Sequence, residues 1–206
     1  MFDYVSTDIA MLGLRFAMPG RHNVENATAA ISAALSAGAD EAGIRRGLET
    51  FGGIQRRFEI LFRSNEVVYV DDYAHHPSEL EAVIGAAREF FPGKKLTGVF
   101  QPHLYSRTRD FAEGFAQALD RLDEVILLDI YPARELPIPG VDSQMIAAMM
   151  QQAKVTLCSK SELMNDLKSR HIEVLLTVGA GDIDTFTEPI RQWLSAGTNN
   201  SQGHEK

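Results

Sequence analysis

The hydrophobic pattern changes character at Gly52-Gly53. Before it, residues 1–19 alternate weakly between apolar and polar, enough for a strand or two between Phe2 and Phe16. Residues 22–37 are alanine-rich and predict a helix, with Gly38 placed to end it in the left-handed conformation. Asp40 is placed to cap a second, short helix in which Ile44, Leu48 and Phe51 keep helical spacing. The glycine pair then interrupts the pattern, and a domain boundary is expected there.

From Phe58 onward strand and helix periods alternate. Phe58–Arg63 and Val67–Asp71, separated by Ser64-Asn65-Glu66, predict a hairpin. A helix follows at 78–91, with Leu80, Val83, Ile84 and Ala87 on one face and a capping box from Ser78 to Glu81. Leu96–Gln101 predicts a strand, and Thr108 is placed to cap a helix carrying Phe111, Phe115 and Leu119. Val125–Ile130 is nearly all apolar, as in a strand covered on both faces. Then come a helix from Asp142 or Ser143 to Met150, a strand at Val155–Leu157 and a helix around Glu162–Lys168. A strand at Val174–Val178 and a helix from Asp182 to about Leu194 complete the series. Such alternation predicts an α/β fold: a mostly parallel sheet flanked by helices, with the opening hairpin supplying any antiparallel strand. The polar stretch 197–206 reads as a disordered tail.

Composition narrows the function classes. The chain has 206 residues and is 45% hydrophobic, ordinary for a globular protein. Its net charge of −8 argues against non-specific binding to nucleic acid or to an anionic membrane, whose phosphates want a basic face. The single cysteine, Cys158, allows no internal disulfide, so a reducing cytoplasm fits. Met1-Phe2-Asp3-Tyr4 has neither the basic start nor the apolar run of a signal peptide. No apolar stretch reaches the roughly 18 residues of a membrane span.

The candidate chemistry gathers after strands. Asp71-Asp72-Tyr73-Ala74-His75-His76-Pro77 lies where a strand hands over to a helix, and ligands of open α/β sheets bind at carboxyl ends of strands. A Pro-initiated helix with incidental polar neighbours explains the same residues. Gln101-Pro102-His103-Leu104-Tyr105-Ser106-Arg107 follows another strand at the same sheet end, so His75, His103 and Arg107 converge and could hold a carboxylate. Arg56 and Arg57 suit phosphate, because guanidinium makes paired charge-assisted bonds; a solvated basic turn is the alternative. Asn23 and Asn26 share a helix face, and a carboxamide matches the N6/N7 edge of adenine; helix capping by Asn23 is the alternative. The proline-rich loop Tyr131–Asp142 could close over a ligand or act as a spacer. Gly179-Ala180-Gly181-Asp182 fits the start of a dinucleotide fingerprint and equally a tight turn. His75, His76 and His103 with Asp71 or Asp72 make a list of possible metal ligands, but adjacent histidines point to different sides. The sequence contains no Gly-x-x-x-x-Gly-Lys-Ser/Thr phosphate loop and no Gly-x-Ser-x-Gly elbow.

Four segments, taken in order, resemble the Mur ligase family, and its alanine-adding branch in particular. They are Gly20 to Ala27, Arg56-Arg57-Phe58-Glu59, Asp71 to Pro77, and Phe100 to Arg109; Gly179-Ala180-Gly181 matches more loosely. The resemblance covers about residues 15–195. It implies that residues 1–53 are the end of a central ATP-binding domain, mostly helical, and that 54–196 form the Rossmann-like carboxyl-terminal domain that binds the amino acid. It also implies that the phosphate loop, the Mg²⁺ ligands and the remaining domains lie upstream of Met1. The implied reaction uses ATP to activate the carboxylate of UDP-N-acetylmuramate as an acyl phosphate, which the amine of L-alanine attacks in the cytoplasm during peptidoglycan synthesis. Carried over by position, Asn26 and Asn23 face adenine, Arg57 reaches the ATP phosphates, and Asp72 accepts the ribose hydroxyls. His75, Tyr73, His103 and Arg107 surround the amino acid and acyl group, with His75 and Arg57 as the catalytic pair. Leu104 stands where many relatives carry arginine. A free-standing nucleotide or amino-acid binding module and a recycling ligase that adds a whole peptide to the same sugar are the alternatives.

Overall fold

A computed structural model describes the backbone of residues 1–201 and the side chains of residues 1–197. The chain divides into two compact units, Met1–Gln55 and a larger one from Arg56 onward.

The first unit is an antiparallel hairpin followed by two helices: β1 (Phe2–Val5), β2 (Ala10–Leu14), α1 (Arg21–Ser36) and α2 (Glu41–Thr50). The hairpin turns Tyr4, Met11 and Leu14 inward against Ala27 and Ile31 of α1 and Ile44 and Leu48 of α2, and a register shift near Gly13, at φ 65°, brings Met11 and Leu14 to the same face. The other face leaves Val5 and Leu12 exposed. Gly38 has φ 86°, the left-handed conformation expected after α1. The Asp40 carboxylate accepts the Gly43 N–H at 2.8 Å and caps α2. Phe51 stands just beyond α2 and stacks on Phe16 at 5.9 Å.

The second unit is built on six strands: β3 (Glu59–Arg63), β4 (Val68–Asp72), β5 (Leu96–Phe100), β6 (Glu124–Leu128), β7 (Lys154–Cys158) and β8 (Val174–Val178). Their order in the sheet is β3-β4-β8-β5-β6-β7. Only β3, at one edge, runs antiparallel to its neighbour. On one face Val70, Phe100, Leu127 and Leu176 pack beneath α3 (Pro77–Phe90), α4 (Tyr105–Leu119) and α5 (Ser143–Ala147). On the other, Tyr69, Val99, Ile126 and Leu175 meet α6 (Leu163–Lys168) and α7 (Thr187–Ser201). Strands covered on both faces need no alternation, so β5, β6 and β8 are buried at every position. Leu80 and Ile84 of α3 are fully buried, and each contributes about 1.5–3 kcal/mol of transfer free energy.

Three connections step from β4 to β5, β6 and β7 over the α3–α5 face, and α6 brings the chain back on the other. The last strand, β8, thus enters between β4 and β5. The direction of winding reverses there, and in open α/β sheets ligands bind at the carboxyl ends of strands beside such a reversal.

Local signals differ from expectation at several ends. The capping box of α3 is His76 with Glu79, not Ser78 with Glu81: Pro77 fixes the first helical position, two residues earlier than a Ser78 cap would. Thr108 does not cap α4. It lies inside the helix with its hydroxyl on Leu104 O, and Phe111 kinks the helix at φ −122° and is partly exposed. Instead of reaching Met150, α5 stops at Ala147, and single turns continue to Met150. Residues Asp182–Phe186 form a 3-10 turn before α7 begins. Helix α7 runs to Ser201, within the stretch expected as a tail; residues 202–206 of that stretch lie outside the described residues.

Candidate active site at the carboxyl ends of β4, β8 and β5

The final turns of three strands are locked together. Gly179 N–H bonds Asp72 O at 3.2 Å, and Gln101 N–H bonds Val178 O at 3.1 Å. A Cβ on Gly179 would lie 2.8 Å from Gln101 O, so only glycine fits that approach at φ 148°. The buried Gln101 amide accepts Ile183 N–H at 3.0 Å and donates to Asp182 at 2.8 Å. The Gly-Ala-Gly turn is thus packed by Gln101, and close packing accounts for its glycines.

Two carboxylates sit at the end of β4, and each is held differently. Asp71 is fully buried and accepts Thr177 Oγ1–H at 2.6 Å and Arg56 Nε–H at 2.9 Å. Burial raises its pKa, with the Thr177 bond and the Arg56 charge opposing. Asp72 accepts Phe58 N–H at 2.7 Å and Ala74 N–H at 2.8 Å, one on each oxygen. Burial raises its pKa too, against those two bonds. Its carboxylate ties the segment before the site to the one after it, so only the remaining lone pairs are available to a ribose.

The adjacent arginines part company. Arg56 has φ 57° and a mostly buried guanidinium that also donates to Gly179 O at 2.6 Å, so it is a structural brace. Arg57 is exposed, and its guanidinium lies 5.9 Å from the Tyr73 ring centre. From there an unbroken run of contacts crosses the sheet end. Tyr73 meets His75 edge-on at 5.2 Å, His75 meets His103 at 6.2 Å, and Arg107 Nη1 reaches His103 Nδ1 at 3.5 Å.

The two imidazoles have opposite polarity. His75 Nδ1 lies 3.0 Å from Tyr73 O, and a carbonyl can only accept, so Nδ1 carries a hydrogen. The neutral ring then offers its lone pair at Nε2. A guanidinium can only donate, so His103 Nδ1 is the acceptor and Nε2 carries the hydrogen. The His103 pKa is lowered, first by burial and then by Arg107 and His75, with Glu135 opposing. Arg107 makes no ion pair among the described residues, which leaves a half-buried cation beside His103.

Other site-building residues escaped the sequence reading. Glu79 accepts His75 N–H at 2.8 Å and His76 N–H at 3.2 Å, and only its spacing after His76 could have signalled this. Tyr131 stacks on His103 at 5.6 Å, and Glu135 accepts the Ser106 amide at 2.9 Å. Both belong to the proline-rich loop after β6. His76 points elsewhere, onto Phe111 at 4.7 Å and Ser78 at 2.9 Å. Among the described residues no three of His, Cys, Asp and Glu converge as a metal would require. Asn23 and Asn26 belong to the first unit. Asn23 donates its side-chain amide to Pro19 O at 2.6 Å, tying down the entry to α1, while Asn26 is exposed.

Residues 56–183 match the family model described as "Mur ligase, glutamate ligase domain". The chain belongs to the Mur ligase family. UDP-N-acetylmuramate–L-alanine ligase of Cytophaga hutchinsonii is 51% identical over 178 residues, covering 86% of this chain and 38% of that protein. The enzyme of the same name from Flavobacterium johnsoniae is 44% identical over 195 residues, covering 95% of this chain and 43% of its own. The crystal structure of UDP-N-acetylmuramate-alanine ligase from Thermotoga maritima superimposes with a TM-score of 0.75 at 32% identity, over 90% of this chain and 41% of that one. A folylpolyglutamate synthase from the same organism, at 22% identity and a TM-score of 0.65, shares the fold alone. This Mur ligase chain thus spans about two fifths of the length of the relatives it matches. No helix among its described residues is long and apolar enough to cross a membrane.

Proposed function

We propose that this chain is the carboxyl-terminal part of an ATP-dependent ligase that joins L-alanine to UDP-N-acetylmuramate through an acyl phosphate, and that it is inactive alone. One observation carries the reading. Tyr73, His75, His103 and Arg107 form a contiguous line at the switch point, in a chain whose relatives at 43–51% identity bear that enzyme's name. In this reading Arg107 pairs with the alanine carboxylate, where a partly buried guanidinium binds strongly and directionally. The free Nε2 lone pair of His75 faces the alanine amine and takes its proton as the C–N bond forms, while phosphate leaves from the acyl carbon. Exposed Arg57 meets the ATP phosphates and Asp72 the ribose. Among the described residues no cluster fits a Mg²⁺ site, and its ligands, like the phosphate loop, are assigned to the part of the ligase outside the matched span.

Phosphate release tests this. The chain alone, given UDP-N-acetylmuramate, L-alanine, ATP and Mg²⁺, should stay at background; turnover would refute the fragment reading. In a longer ligase containing this chain, Arg107→Ala should raise the KM for L-alanine far more than that for ATP. Removing one partner of a buried charge pair is worth roughly 2–5 kcal/mol. Equal effects on both substrates would place Arg107 at the nucleotide or at a structural joint.

A further inference from the structure

The loop between β6 and α5 grips the segment that carries His103 and Arg107. Tyr131 donates its N–H to Pro102 O at 2.8 Å and accepts Leu104 N–H at 2.9 Å, while its ring covers His103. Four residues on, the Glu135 carboxylate accepts both the amide and the hydroxyl of Ser106. Helix α4 needs such a partner. Its N-cap residue is Leu104, at φ 71°, which has no side-chain acceptor for the first-turn amides. Glu135 supplies that acceptor from another part of the chain, and its charge sits at the positive end of the helix. Ser106 directly precedes Arg107 and follows His103 by less than one helical turn.

We propose that Glu135 is a positioning residue: it clamps the first turn of α4 so that His103 and Arg107 are presented as a fixed pair to the carboxylate of the incoming amino acid. This rests on the alanine-adding reading. The groups that face His103 are Arg107 from α4, His75 from the turn after β4, and Tyr131 and Glu135 from the loop. Of these, Glu135 alone is negative, and it supports the protonated ring against burial, Arg107 and His75.

Two variants separate clamp from charge. Glu135→Gln can still accept the Ser106 amide and donate to its hydroxyl, but the charge is gone; Glu135→Ala removes both. In this chain, amide exchange at Ser106 should speed up roughly 10- to 100-fold in Glu135→Ala, the range spanned by a hydrogen bond to a charged acceptor, and much less in Glu135→Gln. The His103 ring, followed by NMR, should titrate lower in both variants. In a longer ligase, Glu135→Ala should raise the KM for L-alanine roughly tenfold and leave that for ATP unchanged. Unmoved exchange and titration in Glu135→Ala would overturn the clamp. A released clamp with an unchanged alanine KM would overturn the positioning role. A wild-type ligase that does not use L-alanine would refute the alanine-adding reading instead, with the clamp decided separately by exchange and titration.

Discussion

Arg56 is the brace whose removal should be felt most. Its guanidinium donates to Asp71 at 2.9 Å and to Gly179 O at 2.6 Å, and it lies 3.6 Å from Asp184. In Arg56→Ala the fully buried Asp71 keeps only the Thr177 hydroxyl. Stripping one partner from a buried ion pair costs about 3–5 kcal/mol. The backbone adds little, since alanine inherits the same φ of 57° that arginine already tolerates. Against a typical total of about 5–15 kcal/mol, the loss is a large share of stability. Trp193, the only tryptophan, packs on the core that holds Tyr69 and Leu175, so its fluorescence reports unfolding of this unit. With a urea slope of about 1–3 kcal/mol/M, the midpoint should fall by at least about 1 M. The loss should also depend on pH. Burial raises the Asp71 pKa and Arg56 pulls it down, so the variant raises it further. A carboxylate whose folded pKa exceeds its unfolded one binds protons preferentially in the folded state. Stability of the variant therefore climbs as pH falls from that raised value toward about 4, the ordinary carboxylate range, and the gap to wild type narrows. Adding Asp71→Asn should recover most of the loss, because no buried charge is then left unpaired. A loss below about 1 kcal/mol, or a gap of the same size at neutral pH and near about pH 4, would refute this account.

Two further outcomes can be checked on the same chain. Gly181→Ala places a Cβ against Gln101 Oε1 and 2.7 Å from Tyr131, so it should lower stability by about 1–3 kcal/mol; an unchanged thermal midpoint would count against the tight packing of that turn. Burial raises the Cys158 pKa, with Asp166 and Glu162 adding to it, so alkylation at neutral pH should be slow in the folded chain and fast in urea; equal rates would refute the buried thiol.

The sequence made the architecture legible because each element carried its own period. β8 at Val174–Val178 and the hairpin of β3 and β4 fell where the apolar runs placed them, since both depend on local pattern. Helix starts were harder. At α3 the competition between His76 and Ser78 is decided by Pro77, and at α4 a left-handed Leu104 replaces a capping side chain. The candidate site residues on the first two loops were visible as unusual polar clusters. Their division of labour was not, because Arg56 and Arg57 differ only in which side of a kinked backbone each faces. Glu135 was invisible for another reason: its partner, Ser106, is 29 residues earlier in the chain, and nothing local marks the pair.

The central place of β8 has a consequence for how the chain is made. The Tyr69–Thr177 bond joins residues 108 apart in sequence, and both strands flanking β8 are synthesised well before it. As the polypeptide leaves the ribosome, β4 and β5 emerge with their shared edges open and must wait for their common neighbour. Loop closure over that span precedes any reward from pairing, which slows folding and exposes apolar strands in the interval. The ends of β4 and β5 cannot be tied together on a nascent chain short of Val178, so the candidate site is assembled only in the final stage of folding, when the last strand slides between two that have been waiting for it.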